Sequence, residues 1–226
     1  MIEKIKEQVY ELLKNDNSGH GMDHINRVLD LSMKFAEEES ANEEVVALIA
    51  LLHDVDDYKL FGEENAKHLT NAKSFMENAN VADDIQKQVL DAIIAIGYSK
   101  RLKDVIPNSL EAKIVSDADM CDAVGVCGIL RTHQYSLKYN KHFFDKNIFP
   151  VNDRDVTDCK GKCADSSVCH IFEKILKLKK LMLTKSGKKE IEKRRQITID
   201  ILYHLFEEEN AIEWIKYLDE YLKQNY

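Results

Sequence analysis

Two prolines and eight glycines are all that this 226-residue chain contains, against roughly 11 and 16 at average usage. Residues that end strands and make tight turns are therefore scarce, which argues against a many-stranded sheet and for long helices with few breaks. Long apolar runs are lacking too. The longest, Val45 to Leu52, has 8 residues, far below the roughly 20 that span a bilayer. The first residues, MIEKIKEQVYELLK, show neither an apolar h-region nor a small-residue cleavage site, so the expectation is a cytoplasmic protein with no membrane partner. Five cysteines, Cys121, Cys127, Cys159, Cys163 and Cys169, are an odd number and do not suit a secreted disulfide framework. Cys159 and Cys163 flank Lys-Gly-Lys at a spacing that suits half of a metal clip, but no second paired set follows.

Positive charge is also in deficit. A net charge of −8 and a pI near 5.5 argue against a nucleic-acid partner, because phosphate neutralisation along a polymer needs a surplus of Lys and Arg. A small anionic ligand is not excluded, since a few cations gathered in one cleft suffice.

What is present is enough for a core: 44% apolar and 32% charged residues exclude wholesale disorder. From Ile25, the residues Val28, Leu29, Ser32, Phe35 and Ala36 follow at helical spacing. Asn42 followed by Glu43 and Glu44 reads as an N-cap with an acidic first turn. The helix it opens, VVALIALLHD, is apolar all round and is expected to be buried on every side. Further helices are predicted at 63–79, 83–97, 109–138 with a break at Gly125 or Gly128, 168–184, 187–208 and 211–224. Pro107, Asn108 and Ser109 mark one boundary. The stretch 140–167, with Pro150 and Gly161, has little periodicity and reads as a long loop, either a cover for a site or a disordered segment. No repeat, low-complexity tract or linker rich in Gly, Ser or Pro divides the chain. The expectation is a single all-α domain over 1–226, with a core at about 20–138 and C-terminal helices at 168–224. Trp214 and Tyr217 pack either a dimer or the last helix, so monomer and homodimer both stay open.

Three features carry chemistry: His20-Gly-Met-Asp-His24 followed by Arg27-Val28, the pair His53-Asp54, and Ser116-Asp117-Ala118-Asp119 with Asp122 and Ala123 behind. Each has a plain structural reading as a helix cap or a satisfied histidine. That reading weakens at His53-Asp54, which follows eight apolar residues, because a buried carboxylate without a partner costs several kcal/mol. A divalent cation compensates it well, since imidazole and carboxylate together suit Mn, Fe, Co, Ni or Zn. His24 from one helix and Asp119 from a third complete a four-ligand set with His53 and Asp54, leaving positions open for water and substrate.

In this order, His, then His-Asp, then a distant Asp on consecutive helices, the chain resembles the HD-domain metal-dependent phosphohydrolases. His24 matches through His-x-x-Arg-Val, His53 and Asp54 through the doublet, and Asp119 through Ala-Asp-x-x-Asp-Ala at Ala118 to Ala123. The passages SDADMCDAVGVCGILRT and SSVCHIFEKILKLKKLMLT resemble a branch of short bacterial HD proteins, so nearly all of the chain from His20 to about Phe206 is covered. Met120-Cys121 departs from the Arg-Leu expected between the aspartates.

The resemblance implies an HD-domain helical bundle with a C-terminal helical extension, and a single divalent ion. Mn is favoured, with Mg, Fe, Co, Ni and Zn compatible; only His68 lies between the doublet and Asp119 to bind a second. It implies attack of a metal-bound water on phosphorus, with Asp57 as the acidic group for proton work, Asp56 as its competitor, and His20 as an acid or a donor to the ligands. Arg27, Lys59, Lys100, Arg101, Arg131 and Lys174 are cations near the motifs. Of these Lys59, Lys100, Arg131 and Lys174, with His170, are the candidate substrate contacts. The implied activity is a nucleoside triphosphate pyrophosphatase acting on NTPs or dNTPs to release the monophosphate and pyrophosphate. A 5'-nucleotidase, a nucleotide-sensing module with little turnover and a di-iron oxidase are the alternatives.

Overall fold

The computed structural model describes residues 1–16, 19–151 and 165–224; Cys159, Gly161 and Cys163 lie outside them. Among the described residues there are twelve α-helices and one 3₁₀ segment, and no strand beyond an isolated bridge between His142 and Ser166. The all-α expectation holds. No described helix is long and apolar enough to cross a membrane.

The helices form two compact units, Met1–Asp122 with Lys180–Lys189, and Ala123–Lys179 with Glu190–Tyr226. In the first, α1 (Ile2–Leu13) turns Ile5, Val9 and Leu13 inward, and α2 (Met22–Glu39) buries the stripe that begins at Ile25. Asn42 caps α3 (Glu43–Leu52), its Oδ1 accepting from the amides of Glu44 and Val45. All eight residues from Val45 to Leu52 are buried, because α3 is enclosed by α1, α2, α6 (Asp83–Ala95) and α8 (Leu110–Asp122). Burial of its six branched aliphatic side chains contributes on the order of 10 kcal/mol. Its polar end is thereby held in the middle of the bundle.

The predicted helix at 63–79 is two helices, α4 (Tyr58–His68) and α5 (Thr70–Asn78), parted at Leu69, whose φ is 50°. The cause lies outside the segment: the Asp56 carboxylate accepts from the amides of Asn71 and Ala72 and starts a new helix there. A short turn, α7 (Tyr98–Arg101), precedes α8, and Ser109 caps α8 by accepting from Ala112 N.

Residues 180–189 lie against α8. Both oxygens of the fully buried Asp117 accept from Leu183 N at 3.0 Å, and Oδ2 also accepts from Thr184 N at 2.7 Å and Thr184 Oγ1 at 2.8 Å. Burial pushes the Asp117 carboxyl above its ordinary pKa, and these hydrogen bonds oppose the rise. Glu39 accepts from Ser186 N and Oγ, each at 2.8 Å. Those bonds hold the Glu39 carboxyl below its ordinary value.

The second unit begins where the predicted 109–138 helix breaks. The break is at Gly125, whose φ of +88° favours glycine; Gly128 sits inside α9 (Val126–Leu137). Ser166 caps α10 (Ser167–Glu173). The predicted 168–184 helix continues only as a 3₁₀ segment over Ile175–Leu181, and α11 (Lys185–Glu208) and α12 (Ile212–Gln224) follow. The described part of the long loop, 140–151, is irregular and delivers Phe144 and Phe149 to Trp214. Phe149 stacks on the indole at 4.5 Å, Phe172 and Phe206 pack around it, and its Nε1 donates to Lys146 O at 3.0 Å. Trp214, 1% exposed, therefore packs the last helix into this core.

Candidate metal centre

His24 stands in the first turn of α2, entered through Gly21, where a Cβ would lie 2.8 Å from Asp16 O. His53 ends the apolar α3, Asp54 follows it, and Asp119 projects from the last turn of α8. These are the four residues that the sequence assigns to a metal, and the structure brings them together. His24 Nε2 lies 3.2 Å from His53 Nε2, 3.4 Å from Asp54 Oδ2 and 3.6 Å from Asp119 Oδ1, and His53 Nε2 lies 3.7 Å from Asp54 Oδ2.

The protons on the two rings are fixed by their other nitrogens. His53 Nδ1 is 2.8 Å from the carbonyl of Ala50, which can only accept. His24 Nδ1 is 2.8 Å from Asp122 Oδ2, a carboxylate also bonded by Arg27. Each Nδ1 therefore carries the hydrogen, and in a neutral ring each Nε2 is a bare lone pair. Two lone pairs and two carboxylate oxygens facing one another repel unless a cation lies among them. Donor atoms about 2.1 Å from a common ion stand roughly 3.0 to 3.5 Å apart, close to the separations observed. His24, His53 and Asp119 form one cluster that could hold a metal ion, with Asp54 beside His24 and His53, and the mixture of imidazole and carboxylate suits a divalent cation with mixed N and O preference.

His20 adds a fifth group. Its Nδ1 is 2.9 Å from Asp54 Oδ2, and His20, His24 and Asp54 form a second donor cluster sharing atoms with the first. Burial alone pushes the Asp54 carboxyl up, but the rings of His53, His20 and His24 around it, when they are protonated, outweigh it and hold the carboxyl well below the usual carboxylate range. Asp54 thus stays anionic, the form in which a carboxylate can hold a cation.

The two acidic candidates after the doublet separate. Since α3 stops at Leu52, Asp57 does not continue that helix; it caps α4, accepting from Lys59 N at 2.8 Å. Asp56 is 4% exposed and bonded to the start of α5. Lys59 on α4 and Lys100 on α7 are exposed residues of the first unit. Arg131 on α9, His170 on α10 and Lys174 at the C-cap of α10 belong to the second.

One buried residue at the site had no role in the sequence reading. Asp122, 1% exposed, accepts from Arg27 Nε at 2.7 Å and Arg27 Nη2 at 3.0 Å as well as from His24. Arg27, offered by the sequence as a cation for phosphate, is engaged here. The signal was in the spacing: Asp122 is one turn beyond Asp119, and Arg27 one turn beyond His24.

The family model of the HD domain matches residues 21–124, the span that carries all four donors. A crystal structure of an HD-superfamily hydrolase from Bacillus thuringiensis is 33% identical, covers 93% of this chain and 97% of its own, and superposes with a TM-score of 0.70. A protein from Lactobacillus plantarum, 29% identical, covers 95% and 97% with a TM-score of 0.77. The uncharacterized protein YpgQ of Bacillus subtilis is 28% identical over 90% of this chain and 91% of itself. Its crystal structure, determined in complex with ADP, covers 92% of this chain and 94% of YpgQ with a TM-score of 0.68 at 23% identity. The chain belongs to the HD-domain superfamily and is a metal-dependent phosphohydrolase.

Proposed function

We propose that the phosphohydrolase acts on nucleotides, cleaving a nucleoside triphosphate, ribo or deoxy, to the monophosphate and pyrophosphate, with one divalent ion, Mn favoured, held by His24, His53, Asp54 and Asp119. The observation that carries the nucleotide assignment is the ADP bound to YpgQ, a relative aligned over 90% of this chain.

A divalent cation in such a donor set lowers the pKa of water and neutralises charge developing on phosphoryl oxygens. The protein's own groups do the rest. Asp54 supplies negative charge to balance the cation, and His20, 16% exposed at its side chain and bonded to Asp54, touches both a donor and solvent and so can pass a proton. Asp57, at the start of α4, is the acidic group proposed to take the proton from the attacking water. Lys59, Lys100, Arg131 and Lys174, with His170, are proposed as phosphate and nucleotide contacts on the strength of their sequence positions.

The test is a panel of NTPs, dNTPs, ADP and monophosphates given to protein stripped of metal and reloaded with Mn. Pyrophosphate release from triphosphates, lost in His53→Ala and Asp54→Ala, is the expected result. Phosphate release from monophosphates alone would select the 5'-nucleotidase. Tight binding of nucleotide without turnover would select a sensor, and no binding or release with any metal would overturn the nucleotide reading.

A further inference from the structure

Two pairs of residues, each spaced by one helical turn, face each other across the packed α2 and α8. His24 and Arg27 come from α2, Asp119 and Asp122 from α8. The first member of each pair is a metal donor. The second members bond to each other, Arg27 Nε and Nη2 reaching Oδ1 and Oδ2 of Asp122 at 2.7 and 3.0 Å, and Oδ2 is also 2.8 Å from His24 Nδ1.

We propose that Asp122 is a positioning residue for the metal centre, holding His24 in the one tautomer and ring orientation that present Nε2 to the cation, with Arg27 fixing the carboxylate that does so. This rests on the metal centre and not on the nucleotide assignment.

The chemistry leaves His24 little alternative. A neutral imidazole carries one N–H, and whichever nitrogen carries it cannot ligate a metal. A carboxylate only accepts, so beside Asp122 the hydrogen belongs on Nδ1 and the lone pair on Nε2. The carboxylate sets the tautomer whichever way it turns, but not the direction of the ring. Arg27 sets that, because two parallel bonds from a planar guanidinium define the plane of the carboxylate as well as its place. It also supplies the charge that a carboxylate 1% exposed needs. His53 reaches the same tautomer through the carbonyl of Ala50 in its own helix, so the centre fixes one histidine locally and the other across two helices.

The competing account is an ion pair that merely joins α2 to α8, and the readouts separate the two. Asp122→Asn keeps the shape but can offer an amide N–H to Nδ1. Calorimetric titration of the metal-free variant with Mn²⁺ is expected to show affinity weakened by about 10- to 100-fold. ¹H–¹⁵N spectra of the metal-free protein are expected to show His24 moving from the Nδ1–H toward the Nε2–H form. Asp56→Asn is the control, since it weakens a buried cap whose carboxylate bonds the start of α5 and none of the four donors; it is expected to lower the melting temperature and leave Mn²⁺ affinity unchanged. Unchanged affinity and tautomer in Asp122→Asn would overturn the proposal, as would an equal loss of affinity in Asp56→Asn. Should Asp122→Asn not fold, Arg27→Gln, at a side chain 34% exposed, is read by affinity alone, since Asp122 there still only accepts and keeps the tautomer; an unchanged Mn²⁺ affinity would overturn the proposal too. Both readouts omit nucleotide, so a protein that binds Mn²⁺ as expected but hydrolyses no nucleotide leaves this inference standing and removes the other.

Discussion

His24 and His53 point their Nε2 atoms at each other across 3.2 Å while both Nδ1 atoms are engaged elsewhere. With both rings neutral, the two Nε2 lone pairs meet at hydrogen-bond distance, and a cation among them turns that repulsion into attraction. Binding to the folded chain alone adds RT ln(1 + [L]/Kd), about 2.7 kcal/mol at a hundredfold excess over Kd. Mn²⁺ is therefore expected to raise the melting temperature in proportion to the logarithm of its concentration, and chelator to lower it. A melting temperature indifferent to both would contradict the arrangement. His53→Ala is expected to abolish the metal-dependent part of the shift.

The adjacent carboxylates Asp56 and Asp57 are expected to fail in different ways. Asp56 is buried and bonds two backbone amides; burial raises its carboxyl above the ordinary pKa, and those bonds oppose the rise. Removing it leaves buried donors unsatisfied, at about 1–3 kcal/mol. Asp56→Ala should lower the denaturation midpoint and spare Mn²⁺ binding. Asp57 caps α4 through one amide, so Asp57→Ala should cost about 1 kcal/mol but reduce turnover far more than Asp56→Ala does. Equal turnover in the two variants would remove Asp57 from the chemistry.

The donors were legible because each is marked by an order of residue types that survives without coordinates: a doublet at the end of a fully apolar helix, one histidine before it and an aspartate well after. Asp122 was not assigned, because its role depends on which face of α8 meets α2, and spacing alone shows only that Asp119 and Asp122 share a face. Helix existence was legible from periodicity, whereas the breaks were set by partners. The predicted helix over 63–79 parts at Leu69 because Asp56 caps the residues that follow. The 168–184 segment tightens to a 3₁₀ turn before residues 180–189, where Asp117 bonds the backbone of Leu183 and Thr184. Neither partner is a neighbour in sequence.

Gly187 offers a test of how closely that segment lies on α8. As the third residue of α11 it should gain up to about 1 kcal/mol of helix propensity on replacement by alanine. A Cβ there, however, would lie 2.3 Å from Asp117 Oδ2 and 2.7 Å from its Cβ and Cγ. Asp117 is tied by hydrogen bonds to Leu183 and Thr184 and cannot step aside. Overpacking of this kind costs about 1–3 kcal/mol, so the clash wins. Gly187→Ala is expected to lower the melting temperature by several degrees, at roughly 2–4 °C per kcal/mol for a chain of this size. A rise in melting temperature would mean that the segment does not lie on Asp117.

Alkaline stability should depend on Tyr221 in the second unit. Its hydroxyl donates to Phe172 O at 3.2 Å, and the residue is 7% exposed. Burial pushes the phenol up to about 12 from an ordinary value of 10.0, with Arg195 pulling it down and Tyr217 adding to the rise. A pKa raised by folding means that the folded state favours the protonated phenol. The associated stability is complete below pH 10 and is lost as pH climbs through about 12. Two units correspond to about 2.7 kcal/mol at most. The urea midpoint of the wild type should therefore fall between pH 10 and pH 12. Tyr203, raised to about 12 by its hydrogen bond to Asp219, contributes to the same fall, so the informative comparison is between single variants. Tyr221→Phe should start about 1 kcal/mol lower at neutral pH for the lost hydrogen bond and then decline less steeply than wild type. An identical slope in wild type and Tyr221→Phe would show that this phenol ionises as readily folded as unfolded, which its burial against Phe172 forbids.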